Sequence, residues 1–158
     1  MTDTHPLIER LLVEYGYPEI HLGNHEEFVA AAGMNVLFFP GDPQTVRDAT
    51  DVAVILPELV RAFDGHLNPG VVTDTFGDGK ALKREYGFME YPALVFVREG
   101  GYVGTLTRVR DWSEYLEQIT AFFAAPVKRA PGHAMLADLT APGAAERGRG
   151  TTVFGDST

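Results

Sequence analysis

Four carboxylates, Asp42, Asp48, Asp51 and Glu58, fall within one short stretch, close enough to offer a joint negative surface to a cationic group through charge-assisted hydrogen bonds. The plainer reading is a solvated acidic face. Asp51 and Glu58 have the better-defined place, because they flank the apolar run Val52-Ala53-Val54-Ile55-Leu56. Nucleophilic chemistry finds little support. The chain has no cysteine, which excludes disulfides, thiolate catalysis and thiolate metal sites. Ser113, the one serine outside the C-terminal stretch, reads as a helix-start residue with no histidine close in sequence. His21 and His25 would chelate a metal only on a continuous helix, and Leu22-Gly23-Asn24 is expected to break one there. Gly77-Asp78-Gly79-Lys80 has the composition of a phosphate loop without the spacing of one.

The chain of 158 residues is long enough for one domain with a sizeable core. Thirteen Lys plus Arg stand against 22 Asp plus Glu, a net charge of −9 that disfavours nucleic acid and anionic membrane and suits a basic partner. The N-terminus lacks a basic region followed by an apolar one, and no apolar run approaches membrane-spanning length, so a soluble cytoplasmic protein with no direct membrane insertion is expected.

The elements that must position these residues follow from periodicity and punctuation. Apolar residues at helical spacing predict a helix from about Pro6 to Tyr15, with Gly16 after it. Residues 18–22 read as a weak first strand. Asn24 reads as the N-cap of a helix over about 25–32. Met34 to Phe39 is a continuous apolar run between Gly33 and Pro40, the mark of a central strand covered on both faces. A turn and loop lead to a helix that Pro57 starts or kinks. A short strand over 70–74, a helix from Asp78 to Tyr86 capped by Gly87, and a strand, Gly-Gly turn and strand beginning at Pro92 complete the hairpin region. Asp111 and Glu114 read as a capping pair for the last helix, with Trp112, Phe122 and Phe123 on its core face. From residue 126 large apolar residues become few. The division expected is a domain over 1–125 and an extended or mobile C-terminal tail over 126–158.

That order predicts an α/β fold with a central mixed sheet and helices on both faces. It resembles the thioredoxin-like fold, with Phe88-Met89-Glu90-Tyr91-Pro92 at the place of the cis-proline loop and the segment 42–52 at the place of the missing redox motif. The motifs Leu37-Phe38-Phe39-Pro40-Gly41-Asp42-Pro43, Asp51 to Leu59, Gly101-Tyr102-Val103-Gly104 and Arg110-Asp111-Trp112 resemble the HyaE/HupG family of hydrogenase-maturation proteins. The resemblance covers about residues 5–125 and implies a redox-inactive, non-catalytic chaperone that needs no cofactor. It implies as partner the precursor of a [NiFe] hydrogenase small subunit, held by its basic twin-arginine signal peptide, with other maturation proteins as further partners. On this reading the acids of residues 42–58 face paired arginines. Glu90, Tyr91 and Pro92 offer a loop whose backbone pairs with an extended peptide; the bland alternative is a turn that only closes the fold. The alternative function is a thioredoxin-fold adaptor or structural subunit making other protein contacts.

Overall fold

The computed structural model describes residues 5–42, 44–75 and 77–132. The tail over 133–158 lies outside these residues. Helix α1 (Pro6–Val13) starts where the His5 imidazole accepts the Leu7 amide, with proline at the first helical position, where it loses no hydrogen bond. Helix α2 (Leu22–Ala30) leads to strand β1 (Met34–Phe39), helix α3 (Ala49–Ala62) and strand β2 (Leu67–Val71). Helix α4 (Asp78–Tyr86), strands β3 (Ala93–Arg98) and β4 (Gly101–Thr107) and helix α5 (Trp112–Ala124) follow.

The strands form one mixed sheet in the order β2-β1-β3-β4, with β1 and β2 parallel and the other neighbours antiparallel. This is the thioredoxin-like arrangement. β1 is buried along its whole length, and its alternate side chains feed two cores. Val36 and Phe38 join Leu94 and Phe96 beneath α1, α3 and α5, against Ile8, Leu11, Leu56, Tyr115 and Ile119. Leu37 and Phe39 join Val95 and Val97 on the opposite face beneath α2 and α4, against Val29, Leu82 and Tyr86. Each fully buried Phe contributes about 1.5–3 kcal/mol relative to exposure, so the sheet is held from both sides.

Several expected boundaries are corrected. Residues 18–22 form no strand; a single parallel bridge joins Glu19 to Val71, and α2 begins at Leu22. Asn24 is not the N-cap but sits in the first turn. His21 is the cap: its Nδ1 accepts the Gly23 amide at 3.1 Å, while Asn24 Oδ1 accepts the His21 amide at 2.8 Å. Asp78 Oδ2 accepts the Leu22 amide at 3.0 Å and completes the cap from a distant part of the chain. β2 lies upstream of the expected 70–74 because the Asp74 carboxylate accepts the Gly77 and Asp78 amides and turns the chain there. Pro57 lies inside α3, which begins at Ala49. The hairpin turn is Glu99-Gly100, both at positive φ, with Gly101 already in β4.

At α5, Asp111 holds the N-cap position but makes no side-chain cap bond, and the Glu114 side chain pairs with Arg110 at 2.7 Å and not with the Asp111 amide. Trp112 is 44% exposed and Phe123 38%, so neither is a core residue, whereas Phe122 packs against the core. The other end of α5 is closed by Arg98, whose guanidinium donates to the carbonyls of Phe122 at 3.1 Å, Phe123 at 3.4 Å and Ala125. Arg98→Met is expected to lower stability by about 1–2 kcal/mol, since part-buried carbonyls lose a charged donor. Urea unfolding would measure it; a change under about 0.5 kcal/mol, the range of neutral surface substitutions, would mean water serves those carbonyls as well.

Candidate functional site

The end of β1, the start of β3 and the end of β4 lie at the same end of the sheet, because β1 and β4 run antiparallel to β3. Three loops meet there. After β1 the chain bends through Gly41 at φ +76, and Asp42 folds the next turn: its Oδ1 accepts the Gln44 amide at 3.0 Å and its carbonyl accepts Val46 at 2.7 Å. Before β3, the Tyr91-Pro92 peptide is cis, as the resemblance implies, and Pro92 is buried. After β4, the Arg108 amide donates to the Pro92 carbonyl at 2.6 Å and fastens the third loop to the second.

Gly41 joins the first two loops. A Cβ built on it would sit 2.7 Å from Tyr91 Cγ, so the acid-bearing turn lies directly against the cis-proline loop. Tyr91 is held from its other side by Phe88, with ring centroids 5.7 Å apart, and Lys83 Nζ lies 5.0 Å from its ring centre. Burial raises the Tyr91 phenol above its ordinary value and keeps it neutral.

The remaining acids divide between two places. Asp51 and Glu58 are exposed on α3, seven residues apart, hence aligned along one face at a separation of about 10 Å. Val54, 49% exposed, lies near that line, so the face is apolar between its charges. Asp51 also sits in the first turn, where the helix dipole favours a negative group. Glu58 is bonded to Arg61 at 2.8 Å, with both side chains more than half exposed, a pairing worth little in water and open to exchange. Asp48 occupies the N-cap position without a side-chain cap bond. Its charge reaches Tyr115, a fully buried residue whose phenol is pushed up mainly by burial. Tyr115 accepts the Arg110 amide at 3.2 Å and donates to the Arg108 carbonyl at 3.4 Å.

The structure therefore places Asp42 beside Tyr91 and Pro92 and aligns Asp51 with Glu58. Glu90 is separate. It faces Arg108 across 3.9 Å on the β4 side of the loop. Sequence reasoning did not find that partner, nor the groove beside it. The groove encloses about 380 Å³, with Tyr86, Phe88 and Tyr102 along its floor and Glu90, Thr105 and Thr107 at its rim. Met89 overhangs it, 82% exposed, an apolar side chain left in water at the tip of the loop. The one readable signal was that methionine, set between buried Phe88 and charged Glu90.

The two histidines behave otherwise than expected. Leu22-Gly23-Asn24 does not break the helix, which runs unbroken from Leu22. His21 is spent on the cap, and buried His25 bonds the Tyr86 hydroxyl through Nε2 at 2.7 Å. Among the described residues no group of three or more His, Asp or Glu side chains is placed to hold a metal ion. None of their helices is long and apolar enough to cross a membrane.

Comparison with known proteins gives a consistent neighbourhood. The family model described as Hydrogenase-1 expression protein HyaE matches residues 7–115. The hydrogenase expression/formation protein HoxO of Azotobacter vinelandii is 47% identical over 120 residues, covering 76% of this chain and 79% of that protein. The hydrogenase expression/formation protein HupG of Bradyrhizobium diazoefficiens is 37% identical over 119 residues, covering 73% and 79%. A crystal structure described as hydrogenase expression/formation protein hupG from Rhodopseudomonas palustris CGA009 is 33% identical, with a TM-score of 0.48, over 68% of this chain and 95% of that one.

Proposed function

The chain belongs to the HyaE family of hydrogenase expression proteins, with a role in hydrogenase maturation, and from this premise we propose that it is a non-catalytic cytoplasmic chaperone. Its ligand is the precursor of a [NiFe] hydrogenase small subunit, gripped through the paired arginines of the signal peptide. The observation that carries this reading is the contact of Gly41 with Tyr91, which sets the Asp42 turn against the cis-proline loop. Asp51 and Glu58, exposed and aligned along α3, are the further acids this reading assigns to the arginines. Guanidinium groups suit such a surface because each can fork two hydrogen bonds onto one carboxylate. Asp42 is half-buried and Asp51 and Glu58 are exposed, so the attraction is modest per pair, screened by salt, and specific only when two arginines engage together.

Calorimetric titration with a synthetic twin-arginine peptide tests this, beside versions carrying Lys-Gln or Ala-Ala in place of Arg-Arg. The Arg-Arg peptide is expected to bind most tightly, and more weakly as salt rises. Equal or absent binding for all three would sink the assignment. Asp51→Asn combined with Glu58→Gln is expected to weaken Arg-Arg binding by about three- to tenfold, the sum of two exposed charge pairs. Unaltered affinity in that double variant would move the site off α3.

A further inference from the structure

The outer edge of β4 is used over only part of its length. Tyr102 exchanges both backbone hydrogen bonds with Lys128, at 2.9 and 2.8 Å, so the segment after α5 already acts as a short added strand. The chain then leaves the edge, and Pro131 borders the groove described above. Further along β4, the Arg108 amide points inward to Pro92. Backbone groups of an antiparallel strand alternate in direction, so those of Thr107 and Thr105 point outward, away from β3. The Thr107 carbonyl is taken by Arg110 Nε at 2.9 Å. Among the described residues nothing bonds the Thr107 amide or the amide and carbonyl of Thr105 on that side.

These outward groups run beside the groove floored by Phe88 and Tyr102, and they end at Glu90. Strand edges bind extended peptides by main-chain hydrogen bonds, with alternate side chains entering neighbouring pockets. We propose that the β4 edge at Thr105–Thr107 receives an extended segment of the basic peptide as an added strand. One of its side chains enters the groove and a cationic one displaces Arg108 from Glu90. This rests on the proposed function for the identity of the peptide, and it adds a second site on the β4 side of the cis-proline loop, where Glu90 faces Arg108. Glu90 and the net charge of −9 supply the complementarity to a basic segment.

Two substitutions at one position separate the backbone from the side chain. Thr105→Pro deletes an amide hydrogen that serves no bond within the sheet, at an edge position that tolerates proline. Thr105→Val keeps the amide and removes only the hydroxyl that bonds Tyr102 at 2.7 Å. Thr105→Pro is expected to weaken binding of the synthetic twin-arginine peptide by about five- to tenfold, one main-chain hydrogen bond, and Thr105→Val by less than about twofold. Equal losses in the two variants would overturn the proposal. Amide hydrogen exchange on the unaltered protein decides the matter without any variant. Slowed exchange at Thr105 and Thr107 with the Arg-Arg or the Ala-Ala peptide supports the added strand. Slowing with both peptides and no preference between them would keep the edge site and remove the arginine-pair reading. Arginine-dependent binding with unchanged exchange at both amides would do the reverse. No binding of either peptide overturns both.

Discussion

Gly41→Ala is expected to lower unfolding free energy by about 2–3 kcal/mol, from two separable causes. The backbone at φ +76 is left-handed, which costs an L-residue with a Cβ about 1–2 kcal/mol. The new methyl would also meet Tyr91 Cγ at 2.7 Å and Val46 Cγ2 at 3.0 Å. Tyr91 has little room to yield, since Phe88 stands against its ring. In a Tyr91→Ala background the 2.7 Å contact with the ring is gone while the Cβ of residue 91 at 2.9 Å and Val46 Cγ2 at 3.0 Å stay, so Gly41→Ala should cost less than in the wild type but no less than the backbone share of about 1–2 kcal/mol. Equal costs in both backgrounds, by urea unfolding, would show that Gly41 does not couple the acidic turn to the cis-proline loop. If the coupling holds, Gly41→Ala also weakens Arg-Arg peptide binding, because the loop it displaces is half of the proposed site.

That coupling was not legible in the sequence, although both of its partners were. Asp42 and Tyr91-Pro92 could be singled out separately, as a turn acid and a proline opening a strand, but nothing in their spacing says that residue 41 touches residue 91. What periodicity conveys well is local: the apolar run of β1, the strands of the hairpin, and α4 ended by Gly87 in its left-handed cap. Where a boundary depends on a distant group, local reasoning slips. The start of α2 is fixed partly by Asp78, 56 residues from the Leu22 amide it accepts. β2 is expected over 70–74, yet it starts at Leu67 and pairs residue for residue with β1 through Pro69 as an edge strand, where proline is tolerated. Trp112 and Phe123 show a further limit. Helical spacing assigns them to one stripe with Ile119, but only the middle of that stripe is covered by the sheet. The groove beside Glu90 was the least accessible, being assembled from the end of α4, the loop before β3, β4 and the chain near Pro131.

Within the second core Tyr86→Phe is expected to destabilise the fold. His25 is 5% exposed, and its Nε2 lies 2.7 Å from the Tyr86 hydroxyl. Removing that hydroxyl leaves a buried ring nitrogen unpaired, at about 1–3 kcal/mol. The same pair sets a pH window. Burial is the main cause lowering His25 below its ordinary 6.5, against the opposing pull of Glu85 and Glu26. The folded state therefore keeps His25 neutral where the unfolded chain takes up a proton, so stability is fully present above pH 6.5 and is lost as pH falls below it. Tyr86 is shifted the other way: burial, then the charge of Glu85, push its phenol well above the ordinary 10. Its contribution is complete below pH 10 and is lost as pH rises further. Urea midpoints measured from pH 5 to 8 should fall on the acid side in the wild type and fall less steeply in His25→Phe, which has no proton to gain. Identical slopes would mean that His25 takes up its proton as readily in the fold as in the unfolded chain. The aromatic ring of Tyr86 stacks on Tyr102 at 6.2 Å, and Tyr102 floors the groove beside Thr105. Acid that loosens His25 from Tyr86 should thus reduce the protection of the Tyr102 amide, bonded to the Lys128 carbonyl at 2.9 Å, before it affects Tyr91, whose loop rests on Phe88 and Gly41 instead.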